Sequence, residues 1–255
     1  MKEFFVAGCL VICSCVLLYA DLSISPAVIN IVANDEAVCE SVYKVFNTAD
    51  TKAIVKISME DWKNSSENSS DVTVEKWLNL PKNEIEIEPK SEAEVPFRIE
   101  TFKGMTGSVS GMVVFSSNKT NMINMTMKVP IYITIEGTEI ADFKIDSLKI
   151  DKGQNTGNLS ATMVIKNDGN VHIRHTGNIK LYNTETGNVV KEIKIEESFP
   201  TYCESSRDFI INIASKDELK QGFYLAVFEV KALGRSVHKA VRFEVLKNGN
   251  IEIKK

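Results

Sequence analysis

The stretch VIKNDGNVHIRHTGNIKLY, residues 164–182, holds short runs of alternating apolar and polar residues separated by two groups of turn-forming residues. These are Asn167, Gly169 and Asn170 in the first group, and residues 176–178, with Gly177 at their centre, in the second. Such residues adopt positive φ or hydrogen-bond the local backbone, so they punctuate strands. We predict strand, turn, strand, turn, strand, with the two turns fixing the register of a hairpin.

The same two-residue alternation recurs on both sides of this stretch, and no long segment has a helical period. Turn signals follow one another at the spacing typical of β-sandwiches. We predict an all-β protein with two tandem immunoglobulin-like antiparallel sandwiches, at residues 21–137 and 138–248, followed by a polar tail at 249–255. The first predicted strand contains Pro26, which cannot donate to a ladder, so this strand lies at an edge or switches sheets.

Composition narrows the class of protein. The chain has 255 residues, of which 44% are hydrophobic and 25% charged, which suits one large or two ordinary globular domains. The net charge is −4 and no basic block is present. These features argue against a nucleic-acid partner.

An unbroken apolar run occupies residues 4–20. Its length suits the hydrophobic part of a cleaved signal peptide that ends at Ala20. An uncleaved signal anchor stays open, because the run is close to the shortest that spans a bilayer, and so does a lipoprotein signal at Cys9. All three alternatives export the rest of the chain to the cell surface or periplasm, the anchor with membrane attachment through residues 4–20.

In an exported chain, the remaining cysteines can form disulfides and the sequons can be glycosylated. Beyond the leader only Cys39 and Cys203 occur. We interpret them as small buried hydrophobes, with a bridge within or between chains as the alternative. Asn-x-Ser/Thr sequons, which are candidate glycan acceptors, begin at Asn64, Asn68, Asn118, Asn124 and Asn158.

The titratable residues form no recognisable catalytic or metal site. His172 and His175 are three positions apart, so a strand places them on opposite faces. We interpret His172 as a turn-stabilising residue and the other histidines as solvated. Glu84, Glu86 and Glu88 alternate with isoleucines and fit a solvated outer face. No phosphate loop, GxSxG or HExxH is present, and we predict no enzyme activity, metal or cofactor.

Two aromatic residues, Trp62 and Trp77, flank the polar loop NSSENSSD at residues 64–71. Paired rings can stack on sugars, which makes a glycan a candidate ligand, although packing in a core or at an edge explains large rings better.

The longest alternation falls in the last strand predicted for the first unit, residues 125–135. Its apolar positions are Met125, Met127, Val129, Ile131 and Ile133, which we predict as an interaction strand. Such a strand can pair with an extended segment of a partner protein.

The first unit contains WLNLP at 77–81, IEIEPKS at 85–91, VPFRI at 95–99 and TGSVSGMVVFSS at 106–117. This pattern resembles the N-terminal half of periplasmic pilus chaperones and the first domain of surface proteins of the WxL-interacting group. Pilus chaperones hold a subunit's terminal carboxylate with two basic residues in the cleft between domains. Here the first strand has no Arg or Lys and the last has only Lys128, so that activity is not carried over.

The second unit resembles the second domain of the same surface proteins through NDGNVH at 167–172, GNI at 177–179, GFYLA at 222–226 and FEV at 243–245. The chain lacks the C-terminal transmembrane anchor of that group, so attachment by that route is not expected. The resemblance implies a non-catalytic cell-envelope or surface module that acts on a protein partner by surface complementarity or edge-strand pairing. The alternative is a pilus-type periplasmic assembly chaperone or accessory factor that uses strand pairing.

Overall fold

The computed structural model describes residues 22–61, 72–117, 125–152, 157–197, 199–215 and 218–254. The predicted leader and four of the sequons, at Asn64, Asn68, Asn118 and Asn124, lie outside these ranges. Nearly all the described elements are strands, and they assemble two successive β-sandwiches, each with its own apolar core. In the described part of the chain, no helix is long and apolar enough to cross a membrane.

The first sandwich is built from alternating strands that direct one apolar face inward. Its strands are β1 (Leu22–Ser25), β2 (Ile29–Ala33), β3 (Val38–Asn47), β4 (Ala53–Asp61), β5 (Leu78–Asn79), β6 (Glu84–Ile87), β7 (Glu92–Glu100), β8 (Ser108–Ser117) and β9 (Met125–Ile135). One sheet has the order β1-β3-β7-β5 and the other β2-β9-β8-β4-β6. In the core between them, the Tyr43 ring is tilted against Phe97 and lies edge-on to Phe115.

The strand around Pro26 switches sheets, as predicted. β1 pairs antiparallel with β3 in one sheet, whereas β2 pairs parallel with β9 in the other. The cis Ser25–Pro26 peptide bond lies at the switch. The first segment of the chain therefore contributes an edge strand to both sheets.

The second sandwich follows after a short connection. Its strands are β10 (Phe143–Lys152), β11 (Leu159–Asn167), β12 (Thr176–Asn183), β13 (Val189–Ile195), β14 (Ser205–Ala214), β15 (Gly222–Ala232), β16 (Arg235–Val245) and β17 (Ile251–Lys254). The sheet orders are β10-β11-β14 and β13-β12-β15-β16-β17. The polar tail predicted at 249–255 needs correction, because β17 pairs with β16 and Ile251 packs against the core.

The predicted hairpin in residues 164–182 also needs correction. β11 and β12 belong to opposite sheets, and between them Ile173 forms only an isolated bridge with Thr201. Residues 176–178 are not a turn but the start of β12. Gly177 is required there for a different reason: a Cβ would collide with the carbonyl oxygen of Glu229 on the neighbouring β15.

A fully buried asparagine ends β3 in the first sandwich and β11 in the second. Asn47 accepts from the backbone N–H of Ala49 at 3.1 Å and donates to the carbonyl oxygens of Thr51 at 2.8 Å and Ile87 at 3.1 Å. Its side chain thereby joins β3 to β6 of the facing sheet.

Asn167 repeats this arrangement. It accepts from Gly169 N–H at 3.0 Å and donates to the carbonyl oxygens of Val171 at 2.7 Å and Thr201 at 3.1 Å. In both sandwiches, a side-chain amide therefore satisfies backbone carbonyls where the chain leaves one sheet.

We expect Asn47→Ala and Asn167→Ala each to lower the free energy of unfolding by about 2–4 kcal/mol, because each leaves buried backbone carbonyls without a donor. Urea titration followed by circular dichroism, which reports on the strands of both sandwiches, measures the change. Asn178→Ala, at a side chain that makes only a 3.4 Å exposed contact with Glu192, is the control and should cost less than about 0.5 kcal/mol. Equal losses in all three variants would contradict the structural role of the buried amides.

Candidate strand-binding edge and domain junction

β9 is a central strand over its second half and an edge strand over its first half. It pairs with β8 along its whole length, from Met125 to Thr134. On the other side, β2 covers only Ile131 to Ile135. Among the described residues, the segment 125–130 has no strand on that side, so its backbone remains open to a partner.

The direction of each backbone group on β9 follows from its neighbours. Ile135 N–H donates to Gly107 on the β8 side at 2.8 Å, and Glu136 N–H donates to Ala33 on the β2 side at 2.9 Å. Because the direction alternates along a strand, the even-numbered residues of β9 face the β2 side. Thr126 and Lys128 therefore present free N–H and C=O groups at the open edge. Pro130, which has no N–H, also faces this side and interrupts no bond to β8.

The side chains of the predicted interaction strand differ in their exposure. Val129, Ile131 and Ile133 are fully buried in the first core, so they are not available to a partner in this conformation. Met125 and Met127 are only partly buried, at the rim of that core. Flexible methionines at such a rim can repack around an added strand.

The outer face of β9 is polar in the same segment. Lys128 Nζ lies 2.5 Å from a carboxylate oxygen of Glu60 on β4, and the hydroxyls of Thr126 and Ser116 are 3.3 Å apart. The open edge is thus apolar on one face and charged on the other.

Four residues beyond Lys128, β9 enters the junction between the two sandwiches. Tyr132 is on the outer face yet only 3% exposed, because the second sandwich covers it. Its hydroxyl is 3.0 Å from the Tyr202 hydroxyl, its ring lies 4.6 Å from the His172 ring, and the Arg174 guanidinium is 5.5 Å above it. Burial is the main cause of the raised pKa of Tyr202, and the hydrogen bond with Tyr132 raises it further.

The turn predicted from NDGN forms the rest of this junction. The carbonyl oxygen of Asn170 accepts from Ser108 N–H at 2.9 Å, and its side chain binds Thr138 O at 2.9 Å and Ile140 N–H at 2.7 Å. Gly169 passes so close to the Ile140 carbonyl that no Cβ would fit.

His172 also crosses the junction instead of binding its own turn. Its backbone N–H donates to the Ser108 hydroxyl at 2.9 Å, and its Nδ1 lies 3.3 Å from the same hydroxyl. Burial, with a smaller contribution from Arg174, lowers the pKa of His172 to about 4. The ring is therefore neutral at pH 7, which suits its position against Tyr132.

The prediction that His175 is solvated is wrong. His175 is 0% exposed and packs edge-on against Phe209 at 4.2 Å between ring centres. Neither ring nitrogen has a hydrogen-bond partner among the described residues. Burial lowers the pKa of His175 to about 4. The sequence did not distinguish this position because the segment crosses between sheets, where strand parity does not apply.

The two cysteines are free and half-buried, so the bridge within the chain does not form. Cys203 Sγ lies 3.7 Å from the Ser108 hydroxyl at the junction, and burial raises the pKa of its thiol. No group of three His, Cys, Asp or Glu side chains in the described ranges could hold a metal ion.

Trp77 is 1% exposed inside the first core, so it cannot stack on a sugar, while Trp62 lies outside the described residues.

Glu84, Glu86 and Glu88 are exposed as predicted, and Lys52 pairs with Glu86 and, at 3.5 Å, with Glu88. Asn158 is the one sequon within the described ranges, and it is half-exposed.

The residues that the structure describes form two β-sandwiches with an open strand beside the domain junction. No family model and no curated protein matches the sequence. Similar solved structures include the class 5 fimbriae chaperone CfaA, which is 17% identical with a TM-score of 0.47 and covers 92% of this chain and 99% of that chain. A chain of the chaperone–tip adhesin complex of CFA/I fimbriae biogenesis is 16% identical with a TM-score of 0.45 and the same coverage.

A third similar structure is that of the CsuC–CsuE chaperone–tip adhesion subunit pre-assembly complex from Acinetobacter baumannii. Its matched chain is 14% identical with a TM-score of 0.39, and the match covers 78% of this chain and 94% of that chain. The resemblance to the WxL-interacting group stays a prediction.

The open edge predicts a specific pattern of amide exchange. We expect the N–H groups of Thr126 and Lys128 to exchange with deuterium about tenfold or more faster than those of Met127 and Val129, which bond to β8. Residue-resolved exchange measured by NMR tests this alternation. Uniform protection along the segment would show that the edge is covered in solution.

The two depressed histidine pKa values predict acid destabilisation. An unfolded chain has histidine pKa values near 6.5, above the folded values of about 4. The unfolded state therefore binds more protons between these limits. The contribution of the two neutral histidines to the free energy of unfolding is fully present above about pH 6.5 and is lost progressively down to about pH 4.

His175→Leu isolates this effect, because the buried ring has no polar partner among the described residues. We compare the free energy of unfolding of the variant with that of the natural protein at two pH values. Between pH 7.5 and pH 4, we expect this difference to shift in favour of the variant by roughly 2–3 kcal/mol. Urea titrations at both pH values give the comparison. Parallel pH profiles for the two proteins would contradict the assignment.

Proposed function

We propose that this protein is an exported, non-catalytic assembly factor that binds an extended segment of a partner protein by adding it as a strand to β9. In this role it acts as a pilus-type assembly chaperone or accessory factor in the cell envelope. The observation that carries the proposal is the open backbone of residues 125–130 on β9 beside the domain junction. Strand addition uses such an edge for affinity and the flanking side chains for selectivity.

The geometry limits what can bind. The partner segment would lie in line with β2, which occupies the next part of the same side of β9 from Ile29 onward. It is therefore short, about six residues or roughly 20 Å at the rise of a strand. Its apolar side chains would meet Met125 and Met127, and its polar side would meet Lys128 and Glu60.

A partner that ends at this point reaches the junction around Tyr132 and Arg174. The resemblance to pilus chaperones implies two basic residues that hold a terminal carboxylate, yet β1 and β2 contain none, and Lys128 pairs with Glu60. Arg174 is on the second sandwich and lies 3.9 Å from Glu197. We therefore assign recognition to backbone pairing and to the methionine rim, without a two-cation anchor.

The more general interpretation, a structural surface module of the WxL-interacting type, explains the sandwiches but not the half-open strand. An assembly factor explains both, because a temporary partner needs an edge that is vacant before it binds. Export through a leader at residues 4–20, glycosylation at the sequons and a bridge between chains through Cys39 or Cys203 remain predictions. No glycan or membrane contact is needed for the proposed role.

A pair of variants at Lys128 tests strand addition directly. Lys128→Pro removes the N–H that faces the open edge while leaving the bonds to β8 intact. Lys128→Ala removes the same ion pair with Glu60 but keeps the N–H. We expect the natural protein and Lys128→Ala to capture the same envelope protein from a native extract, and Lys128→Pro to capture about tenfold less.

Mass spectrometry of the captured protein, with thermal unfolding of each variant as a folding control, provides the measurement. Equal capture by the proline and alanine variants would refute strand addition at β9. Loss of capture in both variants would instead place recognition on the Lys128 side chain.

A further inference from the structure

Two of the four edge strands in the described part of the second sandwich, β17 and β10, are protected against pairing. β17 has four residues, and β10 contains a bulge between Ile145 and Ser147 where it pairs with β11. Lys239 Nζ also donates to the carbonyl oxygens of Ile145 at 3.1 Å and Asp146 at 2.6 Å, which closes that edge. Short strands, bulges and lysines are the usual means by which proteins blunt an edge.

β14 is less protected, because its one bulge lies at its C-terminal end, at Ile213, and leaves residues 205–212 in regular register with β11. It has ten residues, Ser205–Ala214, and pairs with β11 on one side only. On its other side, no described backbone group bonds to it. It contains no lysine or proline, and the guanidinium of Arg207 is turned back to the Pro200 carbonyl at 2.6 Å. Residues 205–212 therefore form a regular edge without lysine or proline, on which Asp208 is the one exposed charge.

At the centre of β14, residues 209–211 are apolar on both faces of the sheet. Ile210 on the outer face is 78% exposed. On the inner face, Phe209 and Ile211 pack against the second core but remain only partly buried. The three-stranded sheet is thus two strands narrower than the five-stranded sheet that faces it, and its core is incompletely covered at β14.

We propose that β14 pairs antiparallel with β14 of a second copy of this chain, about a two-fold axis at Ile210. In this register, Ile210 faces Ile210 of the second copy, and Asp208 faces Asn212. Two equivalent pairs of Phe209 and Ile211 form, one on each side of the axis, so the two incomplete cores become continuous. The three-stranded sheets then join into one, and both open edges are removed.

The charged residues of β14 favour one register of pairing with a second copy. No like charges are opposed when the axis passes through Ile210, whereas an axis at Asp208 would place two carboxylates opposite each other, which is destabilising. An axis at Phe209 would place Asp208 against Ile210 and leave both exposed isoleucines against a charge. A self-complementary strand of this kind is what an isologous two-fold interface requires.

This dimer uses a different strand from the proposed partner site on β9, so either proposal can fail without the other. Sedimentation velocity over a range of protein concentrations tests the dimer. We expect the natural protein to dimerise and Ile210→Lys, which places two ammonium groups at the axis, to raise the dissociation constant by at least about tenfold. Val190→Lys is the matched control, because Val190 is a 44% exposed apolar residue on β13 of the same domain, and it should dimerise normally.

Cysteine cross-linking identifies the interface independently of the charge effect. Residues directly opposite in an antiparallel pair have Cα atoms about 4.5–5.5 Å apart, within the range of a disulfide. Ile210→Cys should therefore form a cross-linked dimer on mild oxidation, and Val190→Cys should not. A monomer at all concentrations with no specific cross-link, or a dimer unaffected by Ile210→Lys, would overturn the proposal.

Discussion

The turn at residues 167–172 makes hydrogen bonds in two opposite directions, and the arrangement of the molecule depends on it. Asn167 binds inward, to carbonyls of its own sandwich, while Asn170 binds outward, to Ser108 of the first sandwich. Asn167 is fully buried and would otherwise lack partners, and Asn170 lies three residues away, so the turn cannot change shape without breaking both sets of bonds. The position of the second sandwich over Tyr132 follows from this rigidity.

That position determines what β9 can do. Tyr132 and the residues after it are covered, by β2 on the edge and by the second sandwich on the outer face. The residues before it are left with one unpaired side. A single strand is thus divided into a structural half, which anchors it in the core, and an accessible half, which ends at a fixed junction. A bound segment would therefore have a defined stopping point.

Much of the fold was predictable from local patterns, and the errors have physical reasons. Alternation identified the strands because each sandwich buries one face of each strand, and Pro26 indicated a sheet switch because proline cannot donate within a ladder. The same reasoning misassigned Gly177, whose role is a close approach to β15 that depends on a residue distant in sequence. His175 was misassigned because it lies on a crossover, where only the surrounding sheets determine burial.

Only part of the candidate site could be predicted from the sequence, for a related reason. Residues 125–133 had the alternation of an interaction strand, but alternation reports on the faces of a sheet and not on its edges. Whether a strand is open depends on the length of its neighbour, here the five residues of β2. The asparagines at 167 and 170 were recognised as turn residues, but their partners Thr201 and Ser108 are too remote for a local pattern to specify.

The two open edges differ in their protection, and this difference separates their roles. The open half of β9 is guarded by Pro130, which removes one donor, and by the Lys128–Glu60 pair on its outer face. Such features disfavour pairing between identical edges and leave room for a different, complementary segment. β14 has neither feature and exposes Ile210 at its centre. An edge with few such features favours pairing with an identical strand, and in the proposed dimer the sequence of β14 supplies that strand.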